Sequence, residues 1–165
     1  MVAPTWVTGQ VLAAADVNSW FVPLVAYKNA DQSVTSSTAL VNDSALHLTI
    51  SAGANYLMHC YLDYEAANSP GDIKWGFTLP ATTFIRYMPS VRNTSSAVVG
   101  GDTSIGSGTD VGGGGGAGVL RAALLTGTVQ CGTTGTLQLQ WAQNTSSATS
   151  TIVHAQSALM LWRIG

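Results

Sequence analysis

Apolar and polar residues alternate with a period of two through most of the chain after residue 30. In YLMHCYLDYEA, the alternate residues Tyr56, Met58, Cys60, Leu62 and Tyr64 would share one side of a β-strand. Comparable segments, separated by turn-forming residues, are ALHLTIS, IKWGFTLP, TTFIRYMPSV, VLRAALLTGTVQ, GTLQLQWAQN, TSTIVHAQ and SALMLWRI. Eight or nine short strands of this kind predict an all-β fold, a jelly-roll-like sandwich of two packed sheets.

The first thirty residues follow a helical pattern instead. A short helix is predicted over about Ala13 to Val22, with Pro23 ending it. Large apolar residues lie at helical spacing or in the extended lead-in: Trp6, Val17, Trp20, Phe21 and Leu24. They would either fold onto their own domain or fill pockets on a partner, because aromatic anchors carry much of the binding energy of interfaces. The chain therefore divides into an arm, residues 1–30, which is a candidate docking anchor, and a sandwich, residues 31–165.

Glycine concentrates between residues 98 and 120, in VVGGDTSIGSGTDVGGGGGAGVL. Glycine loses more backbone entropy on ordering than any other residue, so this stretch is predicted to be a long loop. Gly113, Gly115 and Gly118 match the glycine spacing of dinucleotide-binding loops, but a dinucleotide site also needs a following helix and acidic residue. No acidic residue follows Asp110, and no helix is predicted after Gly118. The glycines therefore do not indicate a nucleotide site.

Charged residues are scarce. They make up 8% of the chain, against about 25% in typical soluble domains, and the net charge is −2. There is no basic cluster that would suit nucleic acid. No apolar run reaches the roughly 20 residues needed for insertion into a membrane. A weakly charged chain in which Trp, Tyr and β-branched residues are plentiful is expected to fold and to be covered by other subunits over part of its surface.

The C-terminal strands carry Gln, Thr and Ser at outward positions where soluble strands usually carry Lys or Glu. No Asp or Glu occurs between Val111 and Gly165. Burying an uncharged amide against another subunit costs less than burying a charge, because its hydrogen bonds can be satisfied without desolvating an ion. The candidate residues for a subunit interface are Gln138, Gln140, Gln143, His154, Gln156 and Trp162.

The Asp, Glu, His and Cys residues of the sequence do not follow the spacing of a catalytic or metal-binding motif. Asp63 and Glu65 would lie about 7 Å apart on one strand, which is typical of a solvated face and not of a cleft with opposed carboxylates. The histidines, which lack the spacing of metal ligands, are His47, His59 and His154. Cys60 and Cys131 could pair or stay reduced. The sequence therefore predicts no enzyme activity, no cofactor and no metal.

The opening WVTGQVLAAADVN resembles the N-terminal segment common in tail-associated and other minor structural proteins of tailed phages, especially those of actinobacteria. STALVNDSALHLTISAGANYLMHCYLDYEA and GTLQLQWAQNTSSATSTIVHAQSALMLWRI are similar to the β-sandwich domains that follow it in such proteins. Ala13 stands where that family often has Thr, so the usual N-cap hydroxyl is missing. The resemblance implies a virion structural protein that forms a homotrimer, similar to the trimeric jelly rolls of the complement and tumour-necrosis-factor type.

We therefore expect a non-enzymatic phage protein that is assembled in the host cytoplasm and exposed on the particle surface. It would be a capsid decoration, a head fibre or a minor tail protein, with itself and other capsid or tail proteins as partners. The alternative is a receptor-binding module of a tail fibre that binds a host-surface glycan, for which Tyr87 and the RNTSS stretch are candidate contacts.

Overall fold

The computed structural model describes residues 7–66, 73–92, 98–99, 104–105, 110–111 and 118–165. Within them, one helix, α1 (Ala14–Phe21), precedes the strands, close to the predicted bounds. The strands are β1 (Leu24–Tyr27), β2 (Gln32–Val34), β3 (Val41–Ile50), β4 (Asn55–Glu65), β5 (Ile73–Thr78), β6 (Phe84–Arg92), β7 (Val98–Val99), β8 (Ser104–Ile105), β9 (Asp110–Val111), β10 (Leu120–Gln130), β11 (Gly135–Gln143), β12 (Thr151–Val153) and β13 (Ala158–Arg163).

The strands form two antiparallel sheets. The larger sheet has nine strands, of which β1, β13, β4, β10, β6 and β7 are neighbours in that order, while β12 pairs with β2 and β4, and β8 pairs with β6. The smaller sheet follows the order β3, β11, β5, β9. Because β3, β5, β9 and β11 lie in the smaller sheet and the other strands lie in the larger one, the chain crosses between the sheets before and after each of these four strands. The predicted all-β sandwich is confirmed, and eight of the described strands have four residues or more.

The core lies between the two sheets and is built from the inward positions of the strands. All five residues that the sequence placed on one side of β4 are buried there. Tyr64 packs edge-on against Trp75 with ring centroids 6.3 Å apart, and Phe77 packs edge-on against Tyr87 at 5.3 Å. Edge-to-face pairs of this kind add to the gain from hydrophobic burial. Because side chains fill this interior, contacts with other molecules must use the outer faces, the strand ends or the arm.

The edge strand of the larger sheet, β1, lies within residues 1–30, which were predicted to form the arm. β1 pairs with β13, with Leu24 opposite Leu161 and Tyr27 opposite Ala158. Because Leu161 is fully buried, Leu24 lies on the interior side of the sheet. The described part of the arm that precedes the first strand is therefore residues 7–23.

One ion pair is completely buried between the sheets. Nζ of Lys28, just after β1, lies 3.0 Å from Oδ2 of Asp43, and neither side chain has exposed surface. Asp43 points inward where the register of β3 against β11 shifts. Its carboxylate also accepts hydrogen bonds from the backbone N–H groups of Ala45 and Leu46 and from Nε1 of Trp141. Since a buried charge is costly without such partners, this network ties β1, β3 and β11 together.

A glutamine side chain occupies the free edge of β3. Nε2 of Gln32 donates to the carbonyl of Asn42 at 3.0 Å, and Oε1 of Gln32 accepts from the N–H of Ser44 at 2.8 Å. The amide thus makes the two hydrogen bonds that a neighbouring strand would make. Oε1 also accepts from Nζ of Lys28 at 3.2 Å, which joins this edge to the buried ion pair.

Gly127 allows β10 to lie close against β6. A Cβ at this position would overlap the carbonyl group of Arg86 and lie 2.6 Å from Cα of Tyr87. Both neighbours are backbone atoms, which cannot turn aside as the end of a flexible side chain can. The pairing of β10 with β6 therefore requires glycine here.

Candidate interaction surfaces

The outer face of the larger sheet carries side chains in three adjacent rows. The central row crosses five strands and consists of Val25, Met160, His59, Thr126 and Met88. The row on one side of it consists of Tyr27, Ala158, Tyr61, Leu124 and Ser90. The row on the other side consists of Trp162, Leu57, Thr128 and Arg86. We call these three rows the apolar sheet face.

Large apolar side chains stand together on the apolar sheet face. Seven of them expose between 39% and 56% of their surface: Val25, Tyr27, Leu57, Tyr61, Met88, Leu124 and Trp162. Five strands spaced by about 4.8 Å and three rows spaced by about 7 Å give the whole face, with its polar positions, a footprint of roughly 500 Å². Contiguous apolar patches larger than a few hundred Å² mark sites where a soluble protein contacts another molecule.

The charged side chains that the structure describes on this side of the sheet lie away from the centre of the apolar sheet face. Arg86 lies on β6, opposite Ile105 of β8, and Asp63 and Glu65 follow Tyr61 farther along β4. His59, at the centre, is exposed and has no hydrogen bond or ion pair with another residue that the structure describes. A molecule that covers the centre of this face would therefore meet one titratable imidazole among apolar and hydroxyl groups.

Trp162 is the one predicted interface residue that lies on the apolar sheet face. The other large apolar side chains of this face were not among the predicted interface residues, although the sequence of β4 indicated two of them. In YLMHCYLDYEA, the positions between the core residues include Leu57 and Tyr61, so β4 has large apolar residues on both sides. A strand that is apolar on both sides is typical of one that is covered on both faces.

Gln138 and Gln140, also predicted for the interface, lie on the outer face of the smaller sheet. Both are half-buried and bond within their own chain. Nε2 of Gln138 donates to the carbonyl of Asp43 at 2.8 Å, and Nε2 of Gln140 donates to Oδ1 of Asn42 at 2.8 Å. These amides hold β11 to β3, and part of their hydrogen-bonding capacity is already used.

Gln143 is fully buried at the end of β11. Its Oε1 accepts from the N–H of Ser37 at 3.2 Å and from the N–H of Ser147 at 3.0 Å, while its Nε2 donates to the carbonyl of Thr149 at 2.7 Å. The amide therefore fixes the connection between β11 and β12 from inside the chain and presents no surface to a partner.

His154 lies just after β12, between two carboxylates of its own chain. Its Nδ1 is 3.2 Å from Oδ2 of Asp31, and its Nε2 is 3.4 Å from Oε1 of Glu65. The pKa of Asp31 is lowered, first by the N–H of Ala155, which donates to the carboxylate, and then by the hydrogen bond with His154. Gln156 follows in a turn with a φ of 74° and is exposed. Of these two predicted interface residues, only Gln156 is open to solvent.

The described part of the arm exposes apolar side chains. The large ones are Val7, Val11, Leu12, Phe21 and Val22. Among the predicted anchor residues, Phe21 is 59% exposed and Val17 is half-buried. Trp6 and the side chain of Trp20 lie outside what the structure describes. Phe21 and its apolar neighbours are thus available to a partner of the chain.

The described residues contain no group of three His, Cys, Asp or Glu side chains that could hold a metal ion. Cys60 and Cys131 are buried and unpaired, and burial raises the pKa of the Cys60 thiol well above its ordinary value. Tyr87, a candidate glycan contact, is buried, and residues 93–96 of the RNTSS stretch lie outside the described residues. In the part of the chain that the structure covers, no helix has both the length and the apolarity for crossing a bilayer.

Comparison with known proteins gives distant structural likenesses and no family. No family model matches the chain, and no curated protein matches it. A chain in the structure of infectious bursal disease virus, Gx strain, is similar over 100% of this chain and 38% of its own length, with 10% identity and a TM-score of 0.38. A chain in the tripod from the baseplate of bacteriophage Tuc2009 is similar over 99% of this chain and 75% of its own, with 12% identity and a TM-score of 0.32. Likenesses this distant assign neither a family nor a role.

Proposed function

We propose that the protein is a non-enzymatic structural component of a phage virion, a homotrimer whose copies meet through the apolar sheet face. The observation that carries this proposal is the group of seven large exposed apolar side chains outside a core that is already filled. Because these side chains are already about half-buried, covering the rest of one of them stabilises an assembly by about 1 kcal/mol, so covering all seven together favours association.

Copies of the same chain suit the apolar sheet face. Its rows contain no carboxylate and one permanent cation, Arg86 on β6, so three such faces can converge around a threefold axis without a buried, unpaired charge at their centre. The hydroxyls of Ser90, Thr126 and Thr128 can form hydrogen bonds across the contact. The centres of protein interfaces are typically depleted in charge and enriched in Tyr, Trp and Met, as this face is. We propose three copies in the assembly because the sequence resembles that of proteins with trimeric jelly-roll domains.

The arm would dock this trimer on the particle, with a capsid or tail protein as its partner. Its apolar side chains, among them Phe21 and Val22, are exposed and are not members of the three rows of the apolar sheet face. The outer face of the smaller sheet, with its uncharged polar side chains, would then face the medium. This arrangement suits a capsid decoration, a head fibre or a minor tail protein that is assembled in the host cytoplasm.

Sedimentation velocity tests the self-association. The wild-type chain should sediment as a trimer at micromolar concentration, and a double variant, Leu57→Glu with Tyr61→Glu, should sediment as a single chain, because it would bury two carboxylates per copy. Thr136→Glu, on the outer face of the smaller sheet, is the matched control and should remain a trimer. A wild-type protein that sediments as a single chain would contradict the proposal, and so would a trimer that is lost only in the control.

Deletion of residues 1–22 tests the docking. The shortened chain keeps β1 and the whole apolar sheet face, so it should still form a trimer. It should no longer join particles that lack this protein, whereas the full chain should. If the shortened trimer binds those particles as well as the full chain does, the arm is not the anchor.

A further inference from the structure

We infer that His59 makes assembly through the apolar sheet face dependent on pH, with weaker assembly as the pH falls. The inference rests on the proposed function, because it requires that copies of the chain cover this face. His59 occupies the middle strand of five and the middle row of three, with Met160 and Thr126 as its neighbours in register. Any closed assembly that uses the face would therefore cover this imidazole.

Among the described side chains, none is placed to pair with a positive charge on His59. Those that are titratable or charged and lie on the same side of the sheet are Tyr61, Asp63 and Glu65 on β4, Tyr27 on β1 and Arg86 on β6, while the side chain of Arg92 on β6 lies outside what the structure describes. The arginines of β10 and β13 lie opposite the buried tyrosines Tyr64 and Tyr56, on the interior side. Asp63, the nearest carboxylate along β4, is four residues away, about 13 Å at the backbone. This exceeds the Debye length of about 8 Å at physiological salt, so an exposed carboxylate there gives little compensation.

The sign of the pH effect follows from this position. An imidazole changes its charge between about pH 5 and pH 8. On the free chain, water hydrates either form of His59, whereas a covering subunit removes that water and disfavours the charged form. Copies related by symmetry would also bring their imidazolium groups closer together, which acts in the same direction. The assembled state therefore binds fewer protons than the free chains, and association weakens as the pH falls.

The other two histidines of the chain are in different situations. His47 is exposed on the outer face of the smaller sheet. His154 has both ring nitrogens near carboxylates of its own chain, those of Asp31 and Glu65. Assembly through the apolar sheet face would leave the environment of His47 unchanged, so His47 provides an internal control.

Sedimentation velocity of a dilution series at about pH 8 and about pH 5.5 tests the inference. At about pH 5.5, assembly would force His59 of each copy to release its proton. Each release should weaken association about tenfold, so the release from three copies should weaken it about a thousandfold. His59→Gln keeps a polar side chain without the charge and should associate equally at both pH values. His47→Gln, the matched control, should keep the pH dependence of the wild type. Circular dichroism of each variant at both pH values shows whether it is folded.

The possible results separate the two proposals. Wild-type association that does not change with pH overturns the role of His59 and leaves the trimer standing. Stronger association at about pH 5.5 also overturns it, because a carboxylate of the neighbouring copy would then face the imidazole. A wild-type protein that is a single chain even at about pH 8 overturns the proposed function and this inference together.

Discussion

Replacing Asp43 by Asn tests what the buried ion pair contributes to stability. The variant keeps the size of the side chain but leaves the ammonium of Lys28 in a site without exposed surface. Besides the new amide oxygen, the acceptors left to Nζ would be Oε1 of Gln32 at 3.2 Å and Oγ of Ser44 at 3.4 Å. If the amide NH₂ took the place of Oδ2, it would also face Nε1 of Trp141, which donates to Oδ2 at 3.1 Å in the wild type. Asp43→Asn thus leaves a charge without its counterion and can set two donors against each other.

The expected loss is about 3–5 kcal/mol, the usual cost of removing one member of a buried ion pair. A single domain is stable by only about 5–15 kcal/mol, so this loss would bring the protein close to unfolding. Lys28→Met should cost less, because the carboxylate would keep the donors of Ala45, Leu46 and Trp141. The loss in the double variant should be smaller than the sum of the two single losses, because no unpaired charge remains.

Urea unfolding, followed by the fluorescence of the buried Trp75 and Trp141, measures these differences. The protein concentration must be held fixed, because subunit association adds to the apparent stability. With a urea dependence of about 2 kcal/mol per M, Asp43→Asn should lower the midpoint by about 2 M. Asp63→Asn is the matched control, since only its backbone forms hydrogen bonds with described residues. A loss under about 1 kcal/mol for Asp43→Asn, or a larger loss for Lys28→Met, would refute this account.

Three further predictions concern the fold and its titratable groups. Gly127→Ala should lower the free energy of unfolding by about 1–3 kcal/mol, because the backbone of β6 must move. Thr136→Ala, exposed on the outer face of the smaller sheet, should change it by less than about 0.5 kcal/mol, and equal losses would contradict this. The lowered pKa of Asp31 means that its carboxylate stabilises the fold above the ordinary value of 3.8 and that this contribution is lost as the pH falls through the lowered pKa. The melting temperature of the wild type should therefore fall more steeply with acid than that of Asp31→Asn, and parallel curves would argue against it. Cys60 and Cys131 should not react with a thiol reagent in the folded protein and should both react after unfolding, so rapid labelling of the folded protein would show that they are accessible.

Local alternation was enough to predict the sandwich and most of its core. Leu137, Leu139 and Trp141 on β11 are buried, as their alternation with glutamines indicated. Such predictions succeed because adjacent residues of a strand must point to opposite faces, whatever the strand pairs with. Which face is apolar can therefore be read from the strand alone.

The buried ion pair could not be predicted in this way. Asp43 precedes the alternating run ALHLTIS, and a carboxylate there would normally be assigned to the surface. It points inward only because the register of β3 against β11 shifts, and its counterion is fifteen residues away along the chain. Neither the register shift nor the partner has a signature in the local sequence.

The apolar sheet face could not be predicted from the sequence either, for a related reason. Each of its strands contributes only one or two of the large apolar side chains, and such numbers are ordinary on an exposed strand. The face becomes a continuous surface only when the pairing order places Val25, Met160 and Tyr61 on adjacent strands. The glutamines of β11 were predicted to lie in a subunit interface because the lack of charge can be seen within a single segment of the sequence. Their hydrogen bonds to β3 could not be predicted, because these depend on the pairing of distant strands.

The side chain of Gln32 limits how this protein can aggregate. An open strand edge is a template to which strands of other molecules can add, one after another, until a fibre forms. At Asn42 and Ser44 the template is already occupied by an amide of the same molecule. A strand of another molecule can therefore add at this part of β3 only after the Gln32 amide has been displaced, so this stretch of the edge resists that kind of growth.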